Sequence, residues 1–271
     1  MVLERLRLAG KVAIVTGAGR GLGRQMSLAL ADAGADVLCA ARTAEQIERT
    51  AKDIEALGRR AVAQPTDVRD SKQCDALIKR AADEFGQLDI MLSNAGIGDA
   101  RGMSSELWDV TDDDWRDTLD VNLSSAFYCA RAASKQMVAE GHGGVIINVA
   151  SGTAMRANPT GFGYGAAKAG VIALTKSLSA MLQKHNIRVN CIVPGFVAQA
   201  PPRNEQQRDF TLARGRYIAA QRLGYAWELG PLAIFLASDA SSYVNGQPFV
   251  IDGGGLAGGL APMGFAPEVA V

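Results

Sequence analysis

The segment KVAIVTGAGRGLG, Lys11 to Gly23, decides how the chain folds. Residues 11–16 form a short apolar run without alternation, the pattern of a strand covered on both faces of a parallel sheet. The run passes straight into a turn containing Gly17, Gly19, Gly21 and Gly23, and then into a helical pattern over residues 21–33. Glycine in such a turn permits positive φ and lets backbone N–H groups approach an anion at the helix N-terminus. In the first turn of a βαβ unit, a pyrophosphate is the anion that fits. Leu22 occupies the place of the third glycine of the GxGxxG spacing, so the loop is not that motif.

Working outward, apolar runs alternate with amphipathic stretches. Further strands are expected at residues 36–40, 61–64, 88–93, 145–150, 188–193 and 249–251, and helices at 43–57, 70–85, 112–139, 162–185 and 232–238. Thr43 and Gln46 have the spacing of a capping box, and Asp70 that of an N-cap. Pro231 belongs in a first turn, which would start the last helix at Gly230 or later. Strict β–α alternation implies right-handed crossovers and a doubly wound α/β fold of Rossmann type, a parallel sheet with helices on both faces. One such domain accounts for all 271 residues, since no linker or repeat divides them. Residues 199–222 and the tail 253–271 fall outside the alternation. Two readings of the tail stay open, a frayed end and an arm packed on another subunit.

Composition narrows the function. The 28 basic and 28 acidic residues cancel, which gives no electrostatic footprint for nucleic acid or an anionic membrane. No apolar run reaches the ~18 residues of a spanning helix, and the first ten residues are too charged for a signal peptide. Cys39, Cys74, Cys129 and Cys191 lack CxxC spacing, so reduced packing cysteines of a cytoplasmic protein are expected. His142 and His185 are the only histidines, and no metal site is expected. His142 reads as an exposed turn residue and His185 as a charge near a helix C-terminus. Trp108 and Trp115 flank an acidic helix start at residues 111–114.

The end of the second strand distinguishes cofactors. An acidic residue there would bond the adenosine ribose 2′-hydroxyl of NAD. This chain has Ala41, Arg42 and Thr43, with Arg20 inside the glycine loop. Two guanidinium groups suit a 2′-phosphate, which favours NADP(H), with NAD(H) possible.

Tyr164 and Lys168 stand four residues apart, on one face of the expected helix. Ser151 follows the 145–150 strand, and Asn122 lies within DVNLSSAF. With the glycine loop, Asp67-Val68, Ser93-Asn94-Ala95-Gly96, Asn190 and Val193-Pro194-Gly195, these motifs occur in the order of one family. The sequence resembles the short-chain dehydrogenase/reductase family over about residues 8–252, nearly the whole chain.

The resemblance implies an oxidoreductase that moves a hydride between NADP(H) and a ketone or secondary alcohol. It makes Tyr164 the general acid or base and Lys168 the cation that lowers the tyrosine pKa and bonds the nicotinamide ribose. Ser151 would orient the substrate oxygen, and Asn122 would hold a relay water. It assigns Asp67 and Val68 to the adenine edge, and Asn94, Ala95 and Gly96 to the floor under the ribose. Pro194, Gly195 and Val197 would frame the nicotinamide. Ala167 and Gln199 depart from the family pattern, where serine and threonine are common. A homotetramer is implied first, then a dimer. Other readings are an NAD(H)-dependent dehydrogenase of a polyol, steroid or other secondary alcohol, and a nucleotide-sensing protein without turnover.

Residues 199–222 take the place of the family's variable substrate lid. They hold Arg203, Arg208, Arg214, Arg216 and Arg222 against Glu205 and Asp209. A basic lid would suit an anionic substrate, with Arg203, Arg214 and Arg216 as its candidate contacts.

Overall fold

The structure, a computed structural model, describes residues 1–98, 106–157, 161–200, 202 and 204–258. The strand β1 (Val12–Thr16) is buried along its whole length. It feeds α1 (Gly21–Asp32), β2 (Asp36–Ala41), α2 (Ala44–Ala56), β3 (Ala61–Pro65), α3 (Ser71–Phe85) and β4 (Ile90–Ser93). The second half runs α4 (Asp112–Leu119), α5 (Ser125–Glu140), β5 (Gly144–Val149), α6 (Phe162–Leu182) and β6 (Ile187–Pro194). It closes with β7 (Val197–Ala198), α7 (Glu205–Gly215), β8 (Gly224–Tyr225), α8 (Leu229–Ala237) and β9 (Pro248–Ile251).

Seven strands form one parallel sheet in the order β3-β2-β1-β4-β5-β6-β9, and β7 pairs with β8 beside it. Apolar side chains on both sheet faces require a layer on each. Met26 and Leu30 of α1 join Leu229 and Leu236 of α8 in one core. Leu77 and Ile78 of α3 join Ala133 and Met137 of α5 in the other. The doubly wound fold expected from the alternation is the one observed. Its order reverses between β1 and β4, and the crevice above their carboxyl ends is where such sheets bind ligands.

Several local expectations need correction. The helix expected at 112–139 is interrupted by a π-turn at Asp120–Ser124. There Asn122 donates to the Thr118 carbonyl at 3.0 Å, and the Ser125 hydroxyl donates to that of Val121 at 2.6 Å. Side chains that compete for helix carbonyls favour such a break. Thr43 caps α2 without a side-chain bond, so its box with Gln46 is not made. Gln46 lies against Gly19 instead, and its Cβ would be 2.8 Å from a Cβ placed there. The last helix begins at Leu229, one residue before the expected limit, and still keeps Pro231 in its first turn. The 162–185 helix ends at Leu182 and closes with a 3-10 turn, Gln183–His185.

The readings at Asp70, Thr111, His142 and the cysteines hold. Asp70 caps α3 by accepting from the Lys72 amide at 2.8 Å. Thr111 and Asp114 close a capping box on α4. His142 sits in a turn and pairs with Glu140 at 3.0 Å. All four cysteines are free and buried, with the Cys74 and Cys129 sulfurs 3.8 Å apart between α3 and α5. Among the described residues there is no group of metal-binding side chains and no helix able to cross a membrane. Arg203 and residues 259–271 of the tail lie outside the described residues.

Candidate active site

The crevice is a cleft of about 880 Å³ above the carboxyl ends of the central strands. Gly17, Gly19, Arg20, Leu22 and Gly23 of the first turn form one wall, with Ala41, Arg42 and Thr43 beyond β2. Asp67, Val68, Asn94, Ala95 and Gly96 form another part, and Ser151, Tyr164, Lys168, Pro194, Gly195 and Val197 the far end. Of the residues singled out from the sequence, Gly21 and Asn122 do not line the cleft. Gly21, at φ 55°, lies directly against the Gln199 side chain, which reaches across from the opposite wall. Asn122 is buried one layer behind the cleft surface.

Close approach of backbones fixes the glycine loop. Gly17 has φ 68°, and a Cβ on it would come within 2.7 Å of Asn94 Nδ2. A Cβ on Gly23 would run into the Gly17 carbonyl and the same amide. Thr16 organises this corner. Its hydroxyl accepts from the backbone N–H groups of Asn94 and Ala95, each at 3.1 Å, and its carbonyl accepts from Asn94 Nδ2 at 3.0 Å. The ends of β1 and β4 are thereby locked together under the loop.

Beyond β3, Arg69 binds Asp67 at 2.7 Å and reaches Asp117 of α4 at 3.5 Å. The hydrogen bonds from Arg69 hold the Asp67 carboxyl below its usual range, and the positive charge of Arg42 adds to this. Arg20 and Arg42 are exposed, and neither has an acidic partner among the described residues.

The far end gathers four polar side chains. Lys168, one turn beyond Tyr164 on α6, is the only buried lysine among the described residues. Its Nζ donates to the Val149 carbonyl at 2.9 Å and lies 5.7 Å from the centre of the Tyr164 ring. Burial depresses its pKa to about 8. Ser151 Oγ accepts from the Thr153 hydroxyl at 3.0 Å and from the Thr153 amide at 3.3 Å. Asn122 is tied to Ile97, donating to its carbonyl at 2.9 Å and accepting from its amide at 3.2 Å. Gly96 separates the two buried groups, because a Cβ there would be 2.9 Å from Asn122 Oδ1 and 3.3 Å from Lys168 Nζ.

A model of the family described as short chain dehydrogenase matches residues 11–209. The chain belongs to the short-chain dehydrogenase/reductase family. It is 39% identical to 2-dehydro-3-deoxy-D-gluconate 5-dehydrogenase of Escherichia coli (strain K12), over 95% of this chain and 100% of that one. It is 36% identical to L-rhamnose 1-dehydrogenase (NAD(P)(+)) of Sphingomonas sp. (strain SKA58), over 91% of this chain and 96% of that one. The crystal structure of carveol dehydrogenase from Mycobacterium avium, in complex with NAD, superposes with a TM-score of 0.86 at 31% identity. That match covers 93% of this chain and 99% of the neighbour. The protein is thus a short-chain oxidoreductase of alcohol or ketone substrates, from a family that uses NAD(P)(H).

The cleft fits a dinucleotide on its own evidence. Gly17 and Gly23 let the loop backbone pack tightly on Asn94 at the cleft wall, and arginines without acidic partners among the described residues line the same cleft. Sequence reading missed Thr16, Gln46, Arg69 and Thr153. Thr16 ends a strand just before the glycine turn, the one position from which a hydroxyl could cross to the neighbouring strand end. Arg69 and Thr153 bind residues two positions away, a spacing that carries no periodic signal, and Gln46 meets Gly19 only when α2 packs on the loop.

Proposed function

We propose that the protein transfers a hydride between NADP(H) and a ketone or secondary alcohol, with Tyr164 as the proton donor or acceptor. The observation that carries this reading is the buried Lys168 beside the Tyr164 ring, at the end of the cleft remote from the glycine loop. When bound, the nicotinamide supplies the hydride chemistry.

Tyr164 gives its hydroxyl proton to the substrate oxygen in reduction and takes it back in oxidation. A free tyrosine has a pKa of ~10 and is a poor base at neutral pH. The adjacent Lys168 favours the phenolate, and with a pKa of about 8 it keeps its charge at pH 7. Ser151 accepts two bonds from Thr153, which leaves its own proton to bind the substrate oxygen. Asn122 spends its amide on Ile97 and Thr118. It therefore serves the relay through the backbone of the widened turn rather than through its side chain.

At the other end, Arg20 and Arg42 bind the 2′-phosphate that distinguishes NADP from NAD, supported by their exposure and lack of acidic partners. The nearby NAD-bound neighbour keeps NAD(H) as the competing cofactor. We place the enzyme in the cytoplasm, supported by its four buried free thiols, and as a homotetramer, which light scattering at micromolar concentration tests. Residues 199–222 serve as the segment over the substrate.

The test of the chemistry is Tyr164→Phe, assayed at 340 nm over a panel of ketones and secondary alcohols. Turnover is expected to fall by about two orders of magnitude or more, with NADPH affinity within a few fold of wild type. Retention of most of the wild-type kcat would remove Tyr164 from the mechanism.

A further inference from the structure

Beside the cleft, outside its lining, stands a cationic cluster that the cofactor does not explain. Phe196 stands between Gly195 and Val197, two residues of the cleft wall, and its own ring is partly exposed outside that lining. Two guanidinium groups meet on that ring. The Arg156 carbon Cζ lies 5.9 Å from its centre and that of Arg214 lies 5.1 Å away. Arg214 is further held by Phe210 of α7, at 4.2 Å. Cation–π contact of this kind fixes a guanidinium's plane while leaving its N–H fork free for an anion.

Three observations set this pair apart from ordinary surface arginines. Arg156 comes from the turn that begins at Ser151, whereas Arg214 comes from the last turn of α7, so two separate segments deliver charge to one place. Neither has an acidic partner among the described residues, although their neighbours do: Arg208 pairs with Glu205 at 3.1 Å and Arg222 with Glu228 at 2.7 Å. Two like charges gathered near one ring repel each other, and an anion between them would reverse the sign of that interaction. Finally, neither arginine lines the cleft, whereas Arg20 and Arg42 do, beside the glycine loop.

We propose that Arg156 and Arg214 form a two-armed clamp, around Phe196, for a carboxylate carried by the substrate. The inference rests on the hydride-transfer reading of the same cleft and adds the substrate class, a hydroxy acid or keto acid. A carboxylate matches the chemistry, because its oxygens accept from guanidinium forks. Of the basic residues of the 199–222 segment, Arg214 alone is placed for this role by a described contact at Phe196. Arg208 and Arg222 are already neutralised, and Arg156 lies outside that segment altogether.

The experiment pairs four- to six-carbon hydroxy acids and keto acids with their methyl esters. Binding to the cofactor-loaded protein is measured by titration calorimetry and turnover by absorbance, for wild type, Arg156→Gln, Arg214→Gln and Arg214→Lys. At least one acid is expected to bind wild type about tenfold or more tightly than its ester, as one charge-assisted bond provides. Either glutamine variant should cut that acid-to-ester ratio severalfold, with Arg214→Lys intermediate because it keeps charge without the fork. If esters are bound and turned over as well as acids, the clamp is wrong and the hydride-transfer reading stands. If acids bind in an arginine-dependent way but nothing is turned over, the clamp stands and that reading fails. Equal loss of acid and ester in the variants, or no acid binding at all, also overturns the clamp.

Discussion

Lys168 donates to the Val149 carbonyl at 2.9 Å, so the ammonium is bonded to the end of β5 and shielded from water. This placement costs stability. A lysine whose pKa falls from 10.5 to about 8 binds its proton less tightly folded than unfolded. Below pH 8 both states are protonated and the penalty is complete, on the order of 3 kcal/mol. Between 8 and 10.5 the unfolded chain holds more protons, so stability rises with pH and the penalty disappears. Lys168→Met is therefore expected to melt above wild type at pH 7 in the cofactor-free protein, with the two curves converging towards pH 10. A variant that melts lower at pH 7 would show that the charge is well solvated in place.

Arg42→Asp exchanges a phosphate-binding cation for a ribose-binding carboxylate. The ratio of kcat/KM with NADPH to that with NADH should fall by roughly tenfold or more, since bonds to charged groups contribute ~1.5–3 kcal/mol. An unchanged ratio would assign the preference to Arg20 or remove it.

Gly23→Ala puts a methyl group into the Gly17 carbonyl and Asn94 Nδ2, both held by the Thr16 lock. A loss of ~1–3 kcal/mol and of at least tenfold in cofactor affinity is expected. Gly98→Ala, where a Cβ meets nothing within 4 Å, should leave both nearly unchanged. Denaturant unfolding and fluorescence titration with NADPH measure the two effects.

Burial pushes the Cys39 thiol up to about 12 and that of Cys191 to about 11, and Cys129 is raised well above its ordinary value. Thiolate is the reactive form. The hydrogen bond from Cys129 instead lowers the Cys74 thiol, but that side chain is buried, so native protein at pH 8 should give almost no colour with a disulfide reagent, and four thiols on unfolding. Rapid reaction of a thiol in the native state would mean that a helix pair opens locally.

How far the sequence could be read follows from where each signal resides. The order of strands and the glycine turn are carried by contiguous residues, so KVAIVTGAGRGLG alone announced the crevice. Tyr164 and Lys168 share a helix turn and were equally legible. Arg69 with Asp67 lies within three residues but carries no periodic pattern. Arg156 became visible only when Phe196 and α7 were in place, because nothing local marks it. The charge excess of the 199–222 segment overcounts its unpaired cations, since Arg208 and Arg222 find carboxylates that composition cannot pair.

The π-turn at Asp120–Ser124 has a consequence for insertions and deletions. One extra residue in a turn advances the following helix by about 100° relative to an unbroken one. The apolar positions of α4 and α5 therefore belong to two wheels offset in phase, and a single wheel drawn through both misplaces one of them. Removing a residue from residues 120–124 would restore a uniform wheel and force a choice. Either Asn122 leaves Ile97, or Cys129, Ala133 and Met137 rotate away from α3 and the sheet. The widened turn thus works as a gear offset, letting one continuous rod answer to two unrelated alignments.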